Sequence, residues 1–261
     1  MEPSSFLARC QQAKKEPFVD PQPMTETPPC AWKNFCPPLL RQFDPEAKIE
    51  WKERVGYGLD GIFWDNTSPE GNRYWAVQRE CHNAALLQIL QASMKSNTPI
   101  FLNPTPKTKK QALINLQAFS DEGRRQRKLE KLPNRVSPTV PQIRECFGWT
   151  KVTGQKLWGL GPKNTPPSTT LDGIRREIWP DEEYYAIVYD FVPESQSLDN
   201  DVVQSQLDFY YLVGFCLTVP MRKDNWKGCG MLVDMADLIC PWHVGWSVGM
   251  FRRRLANELQ A

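Results

Sequence analysis

The chain has 261 residues, of which 41% are apolar and 24% are charged. This composition supplies enough apolar material for one good core or two small lobes, so we expect a globular protein. The net charge of +2 at pH 7 is too small to indicate a nucleic-acid or membrane partner by itself.

The sequence contains no uninterrupted apolar run of the roughly 18 residues that a membrane span needs, and the N-terminus lacks an apolar core of signal-peptide length. We therefore expect a soluble intracellular protein, in the nucleus or the cytoplasm.

The eight cysteines never form a C-x-x-C pair, and several lie in apolar contexts. They are predicted to be buried reduced thiols without disulfides.

Residues 1–46 are rich in proline, which removes backbone donors and disfavours helix at the preceding residue, so we expect a mostly irregular arm. Residues 47–55 have the pattern of a strand, and a glycine-rich turn follows them. Residues 62–64 would return from that turn as a second short strand, which makes a hairpin the simplest local structure. The turn is a complete G-x-G-x-x-G motif with its glycines at Gly56, Gly58 and Gly61.

Two segments have apolar residues at helical spacing. Residues 73–94 predict the main helix, which carries Glu80, and residues 109–132 predict a second helix. The stripe of the main helix consists of Val77, Cys81, Ala85, Ile89 and Ala92. The stripe of the second helix consists of Leu113, Leu116 and Phe119.

The second half of the chain contains the clearest strand signals. Residues 140–152 and 183–192 are rich in aromatic and β-branched side chains, and we expect them to pair in antiparallel fashion. Residues 154–170 between them are predicted to form an insertion loop. The remaining predicted elements are a helix at 201–217, a strand at 230–234 and a basic C-terminal helix or tail at 247–261.

The charge is unevenly distributed along the chain. Eight basic and three acidic residues lie between Lys107 and Lys131, whereas nine acidic and no basic residues lie between Glu177 and Asp208. These two spans predict a bipolar surface on which a protein partner would dock. The basic run at 124–128 lacks the interleaved aromatic residues that stack on bases, so sequence-specific nucleic-acid binding is not expected.

The order of these elements resembles the smaller lobe of a protein kinase and the start of the larger one. Longer blocks of the chain are similar to a family of filamentous-fungal proteins that is labelled as similar to a subunit of the inner kinetochore. The resemblance covers roughly residues 45–246. The blocks that carry it are residues 63–67, 74–81, 119–125, 180–189 and 232–237.

The resemblance implies an α+β, truncated protein-kinase-like fold over residues 47–246. Its small lobe would be an antiparallel sheet with one main helix, followed by a partial helical second lobe. In kinases the glycine turn covers the nucleotide, a strand lysine pairs with a helix glutamate, and a later aspartate binds magnesium. The positions that match are Gly56, Gly58, Gly61 and Glu80 for the nucleotide and Asp234 for the metal ion. Asp237 is a second metal candidate, because it follows the same strand end and carries hard oxygen ligands.

Three departures from the kinase pattern argue against catalysis. No lysine occurs from Ile62 to Met94, no H-x-D motif with a downstream asparagine precedes Asp234, and only 27 residues follow Asp234. Without the phosphate-binding cation and the catalytic base, phosphoryl transfer has no support. We therefore assign no catalytic residue and expect no cofactor, and the leading hypothesis is a non-catalytic protein-interaction module, with kinetochore association implied by the resemblance.

Other interpretations stay open. The chain would be a phosphotransferase that uses ATP and magnesium if Arg73 or Arg79 replaced the lysine. A third interpretation is a truncated product of a kinase-like gene, with codons missing after Gly61, that is accessory to a metabolic gene cluster. The glycine turn would be purely structural, Glu80 a solvated acid, and the two aspartates caps of a following turn. Cys229, Cys240 and His243 have donors that zinc uses, but a closed zinc site needs a fourth.

Overall fold

The computed structural model describes residues 8–9, 12–13, 15–50, 76–96, 98–126, 131, 134–139, 141–165, 168–171, 174–195 and 197–260. This part of the chain is α+β, as predicted. Its α-helices are α1 (Ala76–Met94), α2 (Lys109–Gln117), α3 (Asp121–Gln126), α4 (Gly154–Trp158) and α5 (Asn200–Leu212). Its strands are β1 (Val19–Pro23), β2 (Leu40–Gln42), β3 (Cys146–Thr153), β4 (Thr169–Leu171), β5 (Ile174–Arg176), β6 (Glu183–Tyr189), β7 (Cys216–Leu217), β8 (Trp226–Lys227), β9 (Met231–Leu232) and β10 (Leu238–Ile239).

The largest sheet has the strand order β1-β2-β3-β6. Strands β3 and β6 pair antiparallel along their whole length, which confirms the predicted pair. Strand β2 lies parallel to both β1 and β3, so the sheet is mixed and the prediction of an antiparallel sheet is wrong for this half. Parallel pairing joins segments that are distant in sequence, and no local turn signal marks it.

The proline-rich arm contributes directly to this sheet. It holds β1, β2 and a 3-10 turn at Trp32–Phe35, none of which the sequence analysis predicted. Phe18 and Leu40 are buried beside Val77 and Cys81 of α1. The arm therefore supplies core side chains to the sheet.

Helix α1 is buried on nearly every side, which is more than the single predicted stripe. On one side it packs against the sheet, where Cys81 and Ala85 meet Trp149. On the other side Leu86 and Leu90 belong to a second cluster. That cluster includes Leu102, Leu116, Phe119, Leu207, Tyr210, Leu232 and Met235. Because α1 separates the two clusters, it forms the central layer of the described structure.

The second predicted helix is interrupted. Helix α2 ends at Gln117 and α3 begins at Asp121, and the Ser120 hydroxyl accepts a hydrogen bond from the Gly123 backbone N–H (3.0 Å). The backbone of Gly123 lies so close to the Gln117 carbonyl oxygen that a Cβ atom would come within 1.7 Å of it. A side chain at position 123 would therefore clash with the end of α2, so this position in the first turn of α3 requires glycine. The fully buried positions of α2 are Ala112, Asn115 and Leu116, and Leu113 of the predicted stripe is half-buried.

Three further local predictions differ from the structure. Residues 47–50, the described part of the predicted first strand, are not in a strand. The predicted insertion loop begins with α4, whose first turn is capped by the Thr153 hydroxyl. In the basic C-terminal segment the described helical turn is a short 3-10 turn at Ala256–Glu258, and Arg253 pairs with Asp208 (2.6 Å).

The described residues bear on two general expectations, one about membrane spans and one about cysteines. None of the helices described here combines the length and apolarity of a membrane span. The seven cysteines in the described part are all free thiols, as predicted. Burial raises the pKa of Cys146 and of Cys240 to about 12, so both stay protonated at neutral pH.

Two histidines are buried: His82 on α1 and His243 in the loop after β10. The His82 imidazole lies 3.1 Å from the Pro17 carbonyl oxygen, and His243 Nδ1 accepts a hydrogen bond from the Gly245 backbone N–H (2.9 Å). Burial, with the nearby Arg79 and His82, lowers the pKa of His243 from 6.5 to about 3. The folded protein therefore holds His243 neutral where the unfolded chain would protonate it.

This buried imidazole should make the fold sensitive to acid. The unfolding free energy should fall as the pH drops from about 6.5 towards 3, and at pH 5 the contribution of His243 should be about 2 kcal/mol. The variant H243N keeps an acceptor for Gly245 but does not titrate, so it should lose less stability over that range. Urea unfolding at several pH values measures the difference, and parallel pH profiles for the two proteins would contradict the assignment.

Candidate functional site

The predicted nucleotide-site residues fall into two groups. Gly56, Gly58 and Gly61 lie outside the described residues, so their role stays a prediction. Glu80 lies on α1, while Asp234 caps the 3-10 turn Met235–Asp237 that follows β9 and Asp237 is the last residue of that turn. The described part of the candidate site is therefore the region where α1, β6 and this turn meet.

A short hairpin positions Asp234. Strands β8 and β9 pair antiparallel, and the buried Gln206 side chain on α5 holds the hairpin from beneath. The amide nitrogen of Gln206 donates to the Gly230 carbonyl (2.5 Å), and its oxygen accepts from the Leu232 backbone N–H (3.2 Å). The hydroxyl of Tyr210 donates to the same oxygen (3.1 Å). Because these groups are buried and mutually satisfied, they fix the hairpin on α5.

The two aspartates meet an asparagine that the sequence analysis did not identify. Asn225 Nδ2 donates to Asp237 Oδ2 (2.8 Å) and lies 3.5 Å from Asp234 Oδ2. The Thr218 hydroxyl donates to Asp237 Oδ1 (2.7 Å), and Asp234 Oδ1 accepts from the Ala236 backbone N–H (2.9 Å). Asp234 thus caps the turn, which is one of the roles expected for it. Asn225 and Asp234 lie at the two open ends of the β8–β9 hairpin, and the strand pattern of the sequence marked only β9.

A buried asparagine fastens α1 to this turn. Asn83 has no exposed surface, and its Nδ2 atom donates to the Met235 carbonyl (2.8 Å) and to the Leu238 carbonyl (2.7 Å). Met235 itself is buried in the cluster that contains Leu86 and Leu90. Helix α1 and the turn that carries both aspartates are therefore held together by polar and apolar contacts.

Glu80 lies one turn before Asn83 on the same helix. Burial raises the pKa of Tyr189 well above its ordinary value, and the Glu80 carboxylate adds to that increase. Glu80 has the same effect on the pKa of the buried thiols Cys81 and Cys146, again secondary to burial. The carboxylate of Glu80 therefore lies close to the end of β6 and the start of β3.

Arg144 crosses the junction between the sheet and the hairpin. Its Nε atom donates to the Asp190 carbonyl (3.0 Å), and Nη1 donates to the Val233 carbonyl (2.9 Å). The guanidinium stacks on the Tyr189 ring, 4.4 Å from the ring centroid. Beside it lies a shallow depression lined by side chains of α1, β3, β6 and the turn. This depression does not enclose a cavity, so it does not have the form of a small-molecule site.

The chemistry available to the described groups is limited. Two carboxylates and one amide could contribute ligands to Mg²⁺, which commonly takes one or two carboxylates together with substrate phosphates. Three of the four carboxylate oxygens already accept hydrogen bonds from the protein's own groups at 2.7–2.9 Å. Among the residues that the structure describes, no group of three or more His, Cys, Asp or Glu side chains could hold a metal ion, and this includes the proposed zinc donors.

No protein-family model, curated protein or solved structure matches this chain. The kinase-like order and the kinetochore-labelled family therefore continue to depend on the sequence resemblance.

The contacts of Asn83 give a direct test of the helix-to-turn connection. Replacing Asn83 with alanine removes two buried hydrogen bonds. The Met235 carbonyl keeps a hydrogen bond from the Leu238 backbone N–H, whereas the Leu238 carbonyl loses its Asn83 partner, so the unfolding free energy should fall by about 2 kcal/mol. The matched control is Asn34→Ala, which removes one exposed hydrogen bond to the Pro29 carbonyl and should cost less than about 1 kcal/mol. Urea unfolding measures both, and equal losses in the two variants would contradict the proposed connection.

Proposed function

We propose that this chain is a non-catalytic, kinase-like module whose function is to bind another protein. The observation that carries the proposal is the way in which Asp234 and Asp237 are used. Their oxygens accept hydrogen bonds from Thr218, Asn225 and the backbone of Ala236, and so hold the loop together. A kinase needs such oxygens for its metal ions.

The sequence supports the same conclusion from a different direction. A phosphate-binding cation on a strand is missing, since no lysine occurs between Ile62 and Met94. The only histidines are His82 and His243, and both are buried with a lowered pKa. His82 contacts the Pro17 carbonyl and His243 contacts the Gly245 backbone, so neither is placed as a base for a substrate hydroxyl.

The order and packing of the elements support the kinase-like part of the proposal. A helix carrying Glu80 packs on a sheet, and the turn after Asp234 packs on the same helix through Asn83. In a kinase these elements surround the nucleotide. Here Arg144 joins the sheet to the residue before Asp234. The resemblance makes the inner kinetochore one assembly in which a partner would be sought.

A second candidate function is phosphotransfer with a substituted cation, and one observation favours it. Asn225 and Asp234 face each other across a hairpin, which is an arrangement that could accept a magnesium ion bound to nucleotide phosphates. Arg79 is a poor substitute for the lysine, because its charge acts on His243 and its guanidinium therefore faces the loop after β10.

A thermal-shift assay with ATP and magnesium separates the two functions. A ligand present at 100 times its dissociation constant stabilises a protein by about 2.7 kcal/mol, which raises Tm by several degrees in a chain of this size. We expect the Tm to rise by less than about 1 °C with millimolar magnesium and ATP. The reason is that Asp234 and Asp237 already accept hydrogen bonds from the protein's own groups.

The variant D234N serves as the control for that assay. If the wild type is stabilised by several degrees and D234N is not, the phosphotransferase function replaces the proposed one. If the wild type transferred radiolabelled phosphate from ATP to any protein acceptor, the phosphotransferase function would also replace the proposed one.

A further inference from the structure

The basic span at residues 107–131 divides into two parts in the structure. In the second part, the guanidinium of Arg124 donates to two backbone carbonyls, at 2.7 and 3.1 Å, so this charge is used inside the protein. In the first part, Lys107, Lys109 and Lys110 are exposed, and none of them forms an ion pair with a residue that the structure describes. The start of α2 therefore presents three cations that the chain itself does not neutralise.

An aromatic cluster joins the start of α2 to the C-terminal segment. The Tyr211 hydroxyl donates to the Pro106 carbonyl (2.8 Å), and the Tyr211 ring packs on Phe251 with 5.1 Å between the ring centroids. Phe251 packs on Trp246 at 5.2 Å, and the Lys109 ammonium lies 5.5 Å from the centroid of the Trp246 ring. The residues before α2 and the residues after Trp246 therefore lie side by side.

Three arginines follow this cluster. Arg253 pairs with Asp208 on α5 (2.6 Å), while Arg252 and Arg254 share Glu258, at 2.6 and 3.4 Å. Together with the three lysines, six cations face two carboxylates, so this surface keeps a net charge of +4. We call the six cations, with the turn between Trp246 and Phe251, the basic patch.

A buried thiol lies within the field of both groups of cations. Burial raises the pKa of Cys216 to about 11, while a backbone hydrogen bond at Ser247 and the charges of Arg254 and Lys109 act in the opposite direction. Positions 97–120 contain no acidic residue, and neither do the twenty positions before Glu258. The positive charge is therefore not offset from within the segments that carry it.

The backbone under the patch is fixed before any partner binds. Asn115 on α2 is fully buried, and its Nδ2 atom donates to the carbonyls of Asn103 and Leu212, both at 2.9 Å. The indole nitrogen of Trp246 donates to the Gly214 carbonyl (2.9 Å). Both segments are therefore fastened to the end of α5, and a preorganised surface loses less entropy on binding.

The uncharged part of the patch favours a peptide over a nucleic acid. Trp246 and Phe251 are buried, and Lys109 covers one face of the indole, so neither ring is open for the stacking that holds single-stranded bases. Val248 is 63% exposed in the turn between these two rings. A valine among cations matches a segment that carries both acidic and apolar side chains.

We infer that the basic patch binds an acidic segment of a partner protein, whose carboxylates contact the lysines and whose apolar side chain covers Val248. Complementary charge sets the orientation and the encounter rate of such a complex. Charges act over about 8 Å at physiological salt, so the local charge of the patch decides, although the whole chain carries only +2. This inference rests on the proposed function and specifies the chemistry of the partner.

The experiment uses the full chain, immobilised, and two pools of twelve-residue peptides. Each pool has leucine at two fixed positions and random uncharged residues at six others. The remaining four positions carry glutamate in one pool and glutamine in the other, so the pools differ in charge and hardly in shape. Retention of the glutamate pool should exceed that of the glutamine pool about tenfold, and added salt should reduce the excess.

Two variants locate the binding site. The triple variant K107Q/K109Q/K110Q should reduce retention of the glutamate pool about tenfold, because it removes the three cations that have no partner within the described chain. Val248→Ser should reduce it about threefold, because the apolar contact is lost.

A second triple variant, K48Q/K156Q/K163Q, is the matched control. It removes the same total charge from exposed lysines that follow β2 or lie on and after α4. Retention of the glutamate pool should stay within about twofold of the wild type, because charges outside the patch are screened.

Three results would overturn the inference: equal retention of the two pools, retention that either patch variant leaves unchanged, or an equal loss in the control variant. Stronger retention of a single-stranded DNA 12-mer or of phosphatidylserine vesicles, lost in K107Q/K109Q/K110Q, would also overturn it. The patch would then be a phosphate-binding surface.

ATP is also an anion, and the variants separate the two failures. Stabilisation by magnesium and ATP that D234N abolishes would overturn the proposed function. Stabilisation that only K107Q/K109Q/K110Q abolishes would overturn the inference about the basic patch and leave the proposed function in place.

Discussion

The structure depends on one constraint, which is that α1 is buried on both of its main faces. One face completes the core beneath the sheet, and the other completes the core shared by α2, α5 and β9. A helix in this position can neither rotate nor shift without breaking both cores, because cores are close-packed. Asn83 adds a directional contact by binding two carbonyls of the turn after Asp234. The position of the candidate site follows from the position of α1.

The contacts within the candidate site underlie the proposal that the chain binds protein and does not transfer phosphate. The carboxylates that would hold a metal ion instead hold their own loop, and Arg144 connects the sheet to the hairpin.

Part of this arrangement could be predicted from the sequence and part could not. Periodicity identified α1, the β3–β6 pair and most of α5, because each is a continuous segment with a strong local pattern. Strands β1 and β2 were missed, because they are short and lie among prolines. Strand β2 also pairs in parallel with β3, which lies more than 100 residues further along the chain. The break at Ser120 depends on a close backbone approach at Gly123, which no pattern of apolar residues reveals.

The candidate site was partly predictable for a similar reason. Asp234 and Asp237 were identified because they follow a strand, whereas Asn225 was missed because only the β8–β9 pairing brings it to Asp234. Hydrogen exchange of the native protein tests most directly whether α1 and the turn form one unit. If they form one unit, two sets of amides should exchange with similar free energies of opening, close to that of global unfolding. The first set is α1 from Asn83 to Leu90, and the second is Ala236 and Asp237. If the turn opened independently, with exchange several orders of magnitude faster than in α1, the central claim would be contradicted.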